Sequence, residues 1–116
     1  MSFIYTQNCD LEAFSGDDFD IPLAFTTGYV PDTIAINITG WTLEFLIKNY
    51  ETDLDSEAVV FQTVTTHLDP VNGISAFINS QSVTSTLTGR YYYYMRYFDT
   101  AGNRQTFLYG KINFLI

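Results

Sequence analysis

The chain has 116 residues, 47% apolar, 16% charged and 17% aromatic, which is the length of one domain with a modest core and excludes disorder by composition. A formal net charge of −8 and a pI near 4.1 argue against nucleic acid, whose phosphates are held by Lys and Arg, and against an anionic membrane surface. No stretch approaches the roughly 18 consecutive apolar residues of a membrane-spanning helix, and the single cysteine, Cys9, allows no disulfide within the chain.

Few charges leave many polar positions to Thr, Ser, Asn and Gln, which suits strands better than exposed helices. The opening MSFIYTQNCD has neither a basic segment nor an apolar run, so it reads as no signal peptide, and a soluble protein made in a cytoplasm is expected. Residues 1–15 are expected to form an N-terminal arm or edge strand of a single domain over 1–116. From residue 19 onward the dominant period is two. FDIPLAFT (19–26) reads as a strand, and Pro22 inside it marks an edge, a bulge or the start of pairing. Pro31-Asp32 is a turn. The sequon Asn37-Ile38-Thr39 precedes Gly40 and Trp41 and is read as strand edge rather than as a glycan site.

WTLEFLIKN (41–49) alternates clearly. Trp41, Leu43, Phe45 and Ile47 share one side and Thr42, Glu44 and Lys48 the other, with Leu46 the apolar exception on the outer side. NYETDLDSE (49–57) has no period and four acids and reads as a solvated loop. AVVFQTVTTH (58–67) and GISAFINS (73–80) are strands separated by Asp69-Pro70 and Asn72-Gly73 turn signals. SQSVTSTL (80–87) allows at most one short helical turn. GRYYYYMRYFD (89–99) and RQTFLYGKINFLI (104–116) form a hairpin across Asp99–Asn103, with Gly102 in its loop. The fold expected is all-β: an antiparallel β-sandwich, immunoglobulin-like with Greek-key connections, of seven to eight strands. A closed small barrel is the alternative.

Catalytic and metal chemistry are not signalled. His67 is the single histidine and reads as a solvent-exposed or hydrogen-bonded turn residue; no second His and no Cys-x-x-Cys accompany it for zinc. Ser and Asp occur in no nucleophile-elbow context. Asp53-Leu54-Asp55-Ser56-Glu57 imitates the opening of a calcium loop, but Ala58 stands where that loop needs glycine and no distal glutamate follows. Asp17-Asp18-Phe19-Asp20 is likewise read as loop acidity. No Gly-rich phosphate loop occurs. The expectation is no enzyme, no cofactor and no metal.

Charge is uneven. Residues 1–70 hold twelve of the thirteen acids and Lys48 as their single base, whereas residues 71–116 hold Asp99 against Arg90, Arg96, Arg104 and Lys111. Ordinary solvated faces explain this; a polar subunit that stacks head to tail is the sharper alternative. The tyrosine run splits by alternation: Tyr91, Tyr93 and Met95 join Trp41, Leu43, Phe45 and Ile47 as structural core, which leaves Tyr92, Tyr94, Arg96 and Phe98 on the outward face as a candidate interaction surface.

The order of signals over residues 16–114 is also distinctive. Gly16-Asp17-Asp18-Phe19 leads into a strand, and Asn37-Ile38-Thr39-Gly40-Trp41 opens another. Pro70-Val71-Asn72-Gly73 enters a third, Gly89-Arg90-Tyr91-Tyr92-Tyr93 begins a fourth, Asp99-Thr100-Ala101-Gly102 turns it, and Tyr109-Gly110-Lys111-Ile112 closes the series. This resembles a β-sandwich domain of tailed-bacteriophage virions, of the type at the N-terminus of baseplate upper proteins and tail-fibre adaptors. Ile38 stands where that family often has Leu. Family members often carry the domain as the head of a longer fibre protein, whereas this chain ends directly after it, so a stand-alone virion component is expected. The resemblance implies that Tyr91 and Tyr93 face the core. It also implies a non-enzymatic tail, baseplate or head–tail connector building block, located in the virion, whose partners are other virion proteins and copies of itself. Readings from other classes are a carbohydrate-binding module and an immunoglobulin-like adhesion domain that use the same outward aromatics.

Overall fold

A computed structural model describes residues 7–28 and 33–116. Among them, ten strands form: β1 (Gln7–Asn8), β2 (Leu11–Phe14), β3 (Phe19–Ala24), β4 (Thr26–Thr27), β5 (Ile34–Ala35), β6 (Thr42–Lys48), β7 (Val60–Val64), β8 (Ile74–Asn79), β9 (Gly89–Phe98) and β10 (Arg104–Leu115). The chain is all-β apart from one short helix, α1 (Gln81–Thr84), and two 3-10 turns, Asp55–Glu57 and Pro70–Asn72. Expectation and structure differ in three ways: ten strands rather than seven or eight, three short helical turns rather than one, and a large sheet that is mixed rather than antiparallel throughout.

That sheet has the order β1-β10-β9-β6-β7, with β2 also paired to β10. The parallel element is the N-terminal edge: β1 and β2 both run parallel to β10. Parallel neighbours need a long connection, and almost the whole chain lies between β2 and β10. The change from β1 to β2 occurs opposite Gly110. A Cβ there would collide with the Cys9 carbonyl oxygen, so no side chain fits where the N-terminal backbone crosses. That carbonyl accepts the Tyr93 hydroxyl, and Asp10 Oδ1 accepts the Lys111 amide at 3.1 Å where a ladder carbonyl would otherwise stand.

The antiparallel pair β3–β8 turns its inner residues onto the large sheet. Phe77 of β8 lies 5.3 Å from Phe45 of β6 between ring centroids, and Phe19 of β3 lies 6.3 Å from Phe114 of β10. Pro22 is tolerated because, among the described residues, β3 pairs with β8 alone and its other edge carries no ladder. A third small pair, β4–β5, brackets Phe25 and Ile36 at the end of the core, where Phe25 meets Trp41 and Phe107 edge-on. Gly73 (φ +73°) is buried beneath them, and a Cβ on it would lie 2.6 Å from both the Phe25 and Ile36 carbonyl oxygens.

Trp41, Leu43, Phe45, Ile47, Tyr93 and Met95 are buried in one core cluster, and Tyr91 is half-buried against it. Tyr97 continues the inward row and stacks on Trp41 at 4.7 Å. Strict alternation fails once, in β10: a bulge between Thr106 and Leu108 inserts Phe107, so Phe107 and Leu108 both join the core. His67 is a structural link. Its Nε2 lies 2.8 Å from the Trp41 carbonyl, which only accepts, so Nε2 carries the proton and Nδ1 accepts the Ser75 hydroxyl at 2.9 Å. The sequon lies in a turn before β6 rather than at a strand edge, with Asn37 Oδ1 accepting both the amide and the hydroxyl of Thr39.

Candidate functional site

The outward face of β9 divides into a closed half and an open half. In antiparallel register, Tyr92, Tyr94, Arg96 and Phe98 stand beside Lys48, Leu46, Glu44 and Thr42 on β6 and beside Lys111, Tyr109, Thr106 and Arg104 on β10. Paired residues point to the same side of a sheet, so this face is a grid of aromatics and charges.

The closed half lies over Arg96. The segment after Lys48 is largely exposed, as a solvated loop is expected to be, and it also folds back over the sheet as a strap. Tyr50 N–H donates to Asp53 Oδ2, Leu54 N–H donates to Glu57 Oε1, and the 3-10 turn delivers Asp55 to the sheet. Asp55 takes Lys48 Nζ on Oδ1 at 2.9 Å and Arg96 on Oδ2 at 2.9 Å, with Arg104 at 3.7 Å. Glu44 holds the same Arg96 nitrogen at 3.1 Å, and Lys48 also donates to the Asp53 carbonyl at 3.0 Å. The hydrogen bond from Lys48, aided by Arg96, holds the Asp55 carboxyl below the usual carboxylate range. Leu46, the apolar exception on the outer side, is fully buried on this face. Arg96 is therefore no part of an open interaction surface: its side chain is only 9% exposed, because two carboxylates on neighbouring elements close over it. Phe98 is half-buried, and the Arg104 guanidinium lies over its ring at 5.6 Å.

The open half is a cleft of about 500 Å³, with Tyr92, Tyr94 and Tyr109 among its walls and Asn8, Asp10, Glu51 and Lys111 around them. Lys48 Nζ sits over the Tyr94 ring at 5.0 Å, and burial raises the Tyr94 hydroxyl above the ordinary phenol range, with Glu51 and Tyr92 adding to the shift. Of the four residues singled out from sequence, Tyr92 and Tyr94 thus share one cleft, while Arg96 and Phe98 belong to the strapped half. The sequence reading did not single out Tyr109, which the β10 bulge brings beside Tyr94, and it expected an N-terminal arm or edge strand over 1–15 without assigning Asn8 and Asp10 to this cleft. The first is hidden by the bulge: unbroken register across the hairpin loop would set Tyr109 opposite Tyr93 on the inner side of the sheet. The second carries no local signal, since parallel pairing across nearly the full chain leaves no spacing to read.

Among the described residues, no three His, Cys, Asp or Glu side chains converge as a metal site, and no helix is long and apolar enough to cross a membrane. Asp53, Asp55 and Glu57, the residues that imitate a calcium loop, direct their oxygens at Tyr50 N–H, the Lys48–Arg96 pair and Leu54 N–H respectively. No protein-family model matches the chain, and no curated protein matches it.

Proposed function

We propose that the chain is a non-enzymatic structural protein of a tailed-phage virion, a tail, baseplate or head–tail connector subunit that acts by contacts with copies of itself and with other virion proteins. We read its layers as an immunoglobulin-like β-sandwich with Greek-key connections: β3–β8 forms one layer, and β6, β7, β9 and the mixed edge at β10 form the other. The Phe45–Phe77 and Phe19–Phe114 contacts across the layers support that reading.

The observation that carries the assembly role is the outer face of β3–β8. Asp20, Pro22 and Ala24 pair there with Ile78, Ala76 and Ile74, so five of the six positions are apolar and one is acidic. Ile78 is 62% exposed, and Leu68 and Val71 are exposed on the turn that the Asp69–Ile74 bridge ties to β8. A contiguous apolar sheet face of this kind marks a protein contact. We assign it to a second copy of the chain, which about a two-fold axis would set the same apolar residues of both copies against each other. The phage assignment rests on the order of sequence signals from Gly16 to Ile112, and the non-enzymatic reading on a histidine held by structural hydrogen bonds and carboxylates engaged in loop and strap contacts.

The test is fractionation of a lysate from the source culture. The chain is expected to sediment with virus particles through a density gradient and to be labelled on their tails by an antibody. A chain that stays wholly in the soluble fraction overturns the virion role.

A further inference from the structure

We infer that the cleft at Tyr92, Tyr94 and Tyr109 binds a neutral saccharide. This is independent of the assembly role, which uses the opposite face of the molecule.

Three properties of the cleft select this ligand class. First, Tyr92 and Tyr94 are two residues apart on β9, and Tyr109 is the direct cross-strand neighbour of Tyr94, so three amphipathic rings come from adjacent grid positions. Aromatic rings of this kind offer an apolar surface together with a hydroxyl at the tip, which complements a sugar ring with C–H groups on its faces and hydroxyls at its edge. Second, the surrounding groups supply hydrogen bonds of both senses. Asn8 both donates and accepts, Asp10 and Glu51 accept, and Lys111 donates. Asp10 is held in place because its Oδ1 accepts the Lys111 backbone N–H. A volume of about 500 Å³ lies within the range of small-molecule sites. Third, the charges exclude the competitors. Asp10 and Glu51 outnumber Lys111 in the lining, and Lys48 above Tyr94 is already paired with Asp55, so phosphates and other anions are disfavoured. A quaternary ammonium ligand would have to sit beside Lys111 and beside the Lys48 ammonium, which already lies over Tyr94.

The test is an NMR titration of the full ¹⁵N-labelled chain with cellohexaose, maltohexaose and chitohexaose, preceded by a screen on an array of neutral bacterial glycans. At least one glycan is expected to shift the backbone amides of Tyr92, Tyr94 and Tyr109 through Lys111. Tyr92→Ala is expected to weaken that binding about tenfold, the loss of one aromatic contact. Glu51→Gln, on an exposed loop, is the second variant. It is expected to weaken binding while leaving the melting temperature unchanged, so a folding defect in the tyrosine variant does not obscure the outcome. Four results overturn the inference: no response to any neutral glycan at millimolar concentration, shifts confined to another face, binding indifferent to both substitutions, or a response to tetramethylammonium in the absence of any to glycans.

Discussion

Replacing Asp55 with alanine unfastens the strap from the outer face of the large sheet. The carboxylate makes two short charge-assisted hydrogen bonds, to Lys48 and Arg96, each 2.9 Å long. The cations it serves are 10% and 9% exposed. Without Asp55, Arg96 retains Glu44 as its one ionic partner among the described residues, and Lys48 retains the Asp53 carbonyl. Hydrogen bonds to charged groups contribute about 1.5–3 kcal/mol each. The Asp55 side chain is itself 43% exposed, so water replaces part of each bond, and the sum is discounted by about half to roughly 1.5–3 kcal/mol. With about 2.1 cal/mol/K of unfolding entropy per residue over 116 residues, this corresponds to a fall of about 10 °C in Tm.

The pH dependence follows from the direction of the shift. The folded Asp55 carboxyl titrates below its unfolded value of 3.8, so its contribution is fully present above that value and is lost as pH falls through the folded pKa. Thermal unfolding of parent and Asp55→Ala is therefore expected to differ by a constant amount from about pH 8 to pH 5, and by progressively less below about pH 4. A difference under about 0.5 kcal/mol at pH 7, the size of an ordinary surface substitution, or a gap that persists undiminished in strong acid, would refute the strap as described.

Other substitutions probe the remaining joints. Gly73→Ala forces a methyl group against two backbone carbonyls at 2.6 Å and a non-glycine residue into left-handed φ; urea unfolding is expected to show a loss of at least about 2 kcal/mol, and a neutral result would mean that Phe25 and Ile36 do not close over it. Tyr93→Phe keeps the buried ring but loses the bond to Cys9, at a cost of about 1 kcal/mol with faster amide exchange at Cys9 and Asp10, whereas Tyr93→Ala costs about 3–5 kcal/mol. Asp99→Ala removes the acceptor for the Ala101 and Asn103 amides and for the Asn103 side chain. Those bonds, led by the Asn103 side chain, lower the Asp99 carboxyl below its unfolded value, so amide protection at Asn103 is expected to fall in the variant at neutral pH, and in the parent only as pH drops below about 4.

What could be read from the sequence was what lies in local alternation. WTLEFLIKN and GRYYYYMRYF assign Phe45, Ile47, Tyr93 and Met95 inward because each strand keeps a period of two from end to end. Alternation also placed Arg96 outward, and that is its side of the sheet. Outward is not exposed, however, and burial of Arg96 depends on Asp55, which arrives from a segment with no period at all. Leu46 was the available clue: an apolar residue among outward polar neighbours records a cover that the strand itself cannot show. The bulge at Phe107 hid inside an apolar run where two consecutive inward residues leave no break. The two-residue strands β1, β4 and β5 are too short to display a period, and the parallel direction of β1 and β2 is set by contacts a hundred residues away.

The assembly role depends most directly on the solution mass of the unmodified chain, measured by light scattering over a concentration series into the millimolar range. A mass that rises in multiples of 13.2 kDa, and that returns to the single-chain value in Ile78→Ser, is the result this account predicts. A parent that stays monomeric throughout contradicts it. So does an oligomer that survives Ile78→Ser and dissociates instead on Tyr92→Ser with Tyr94→Ser.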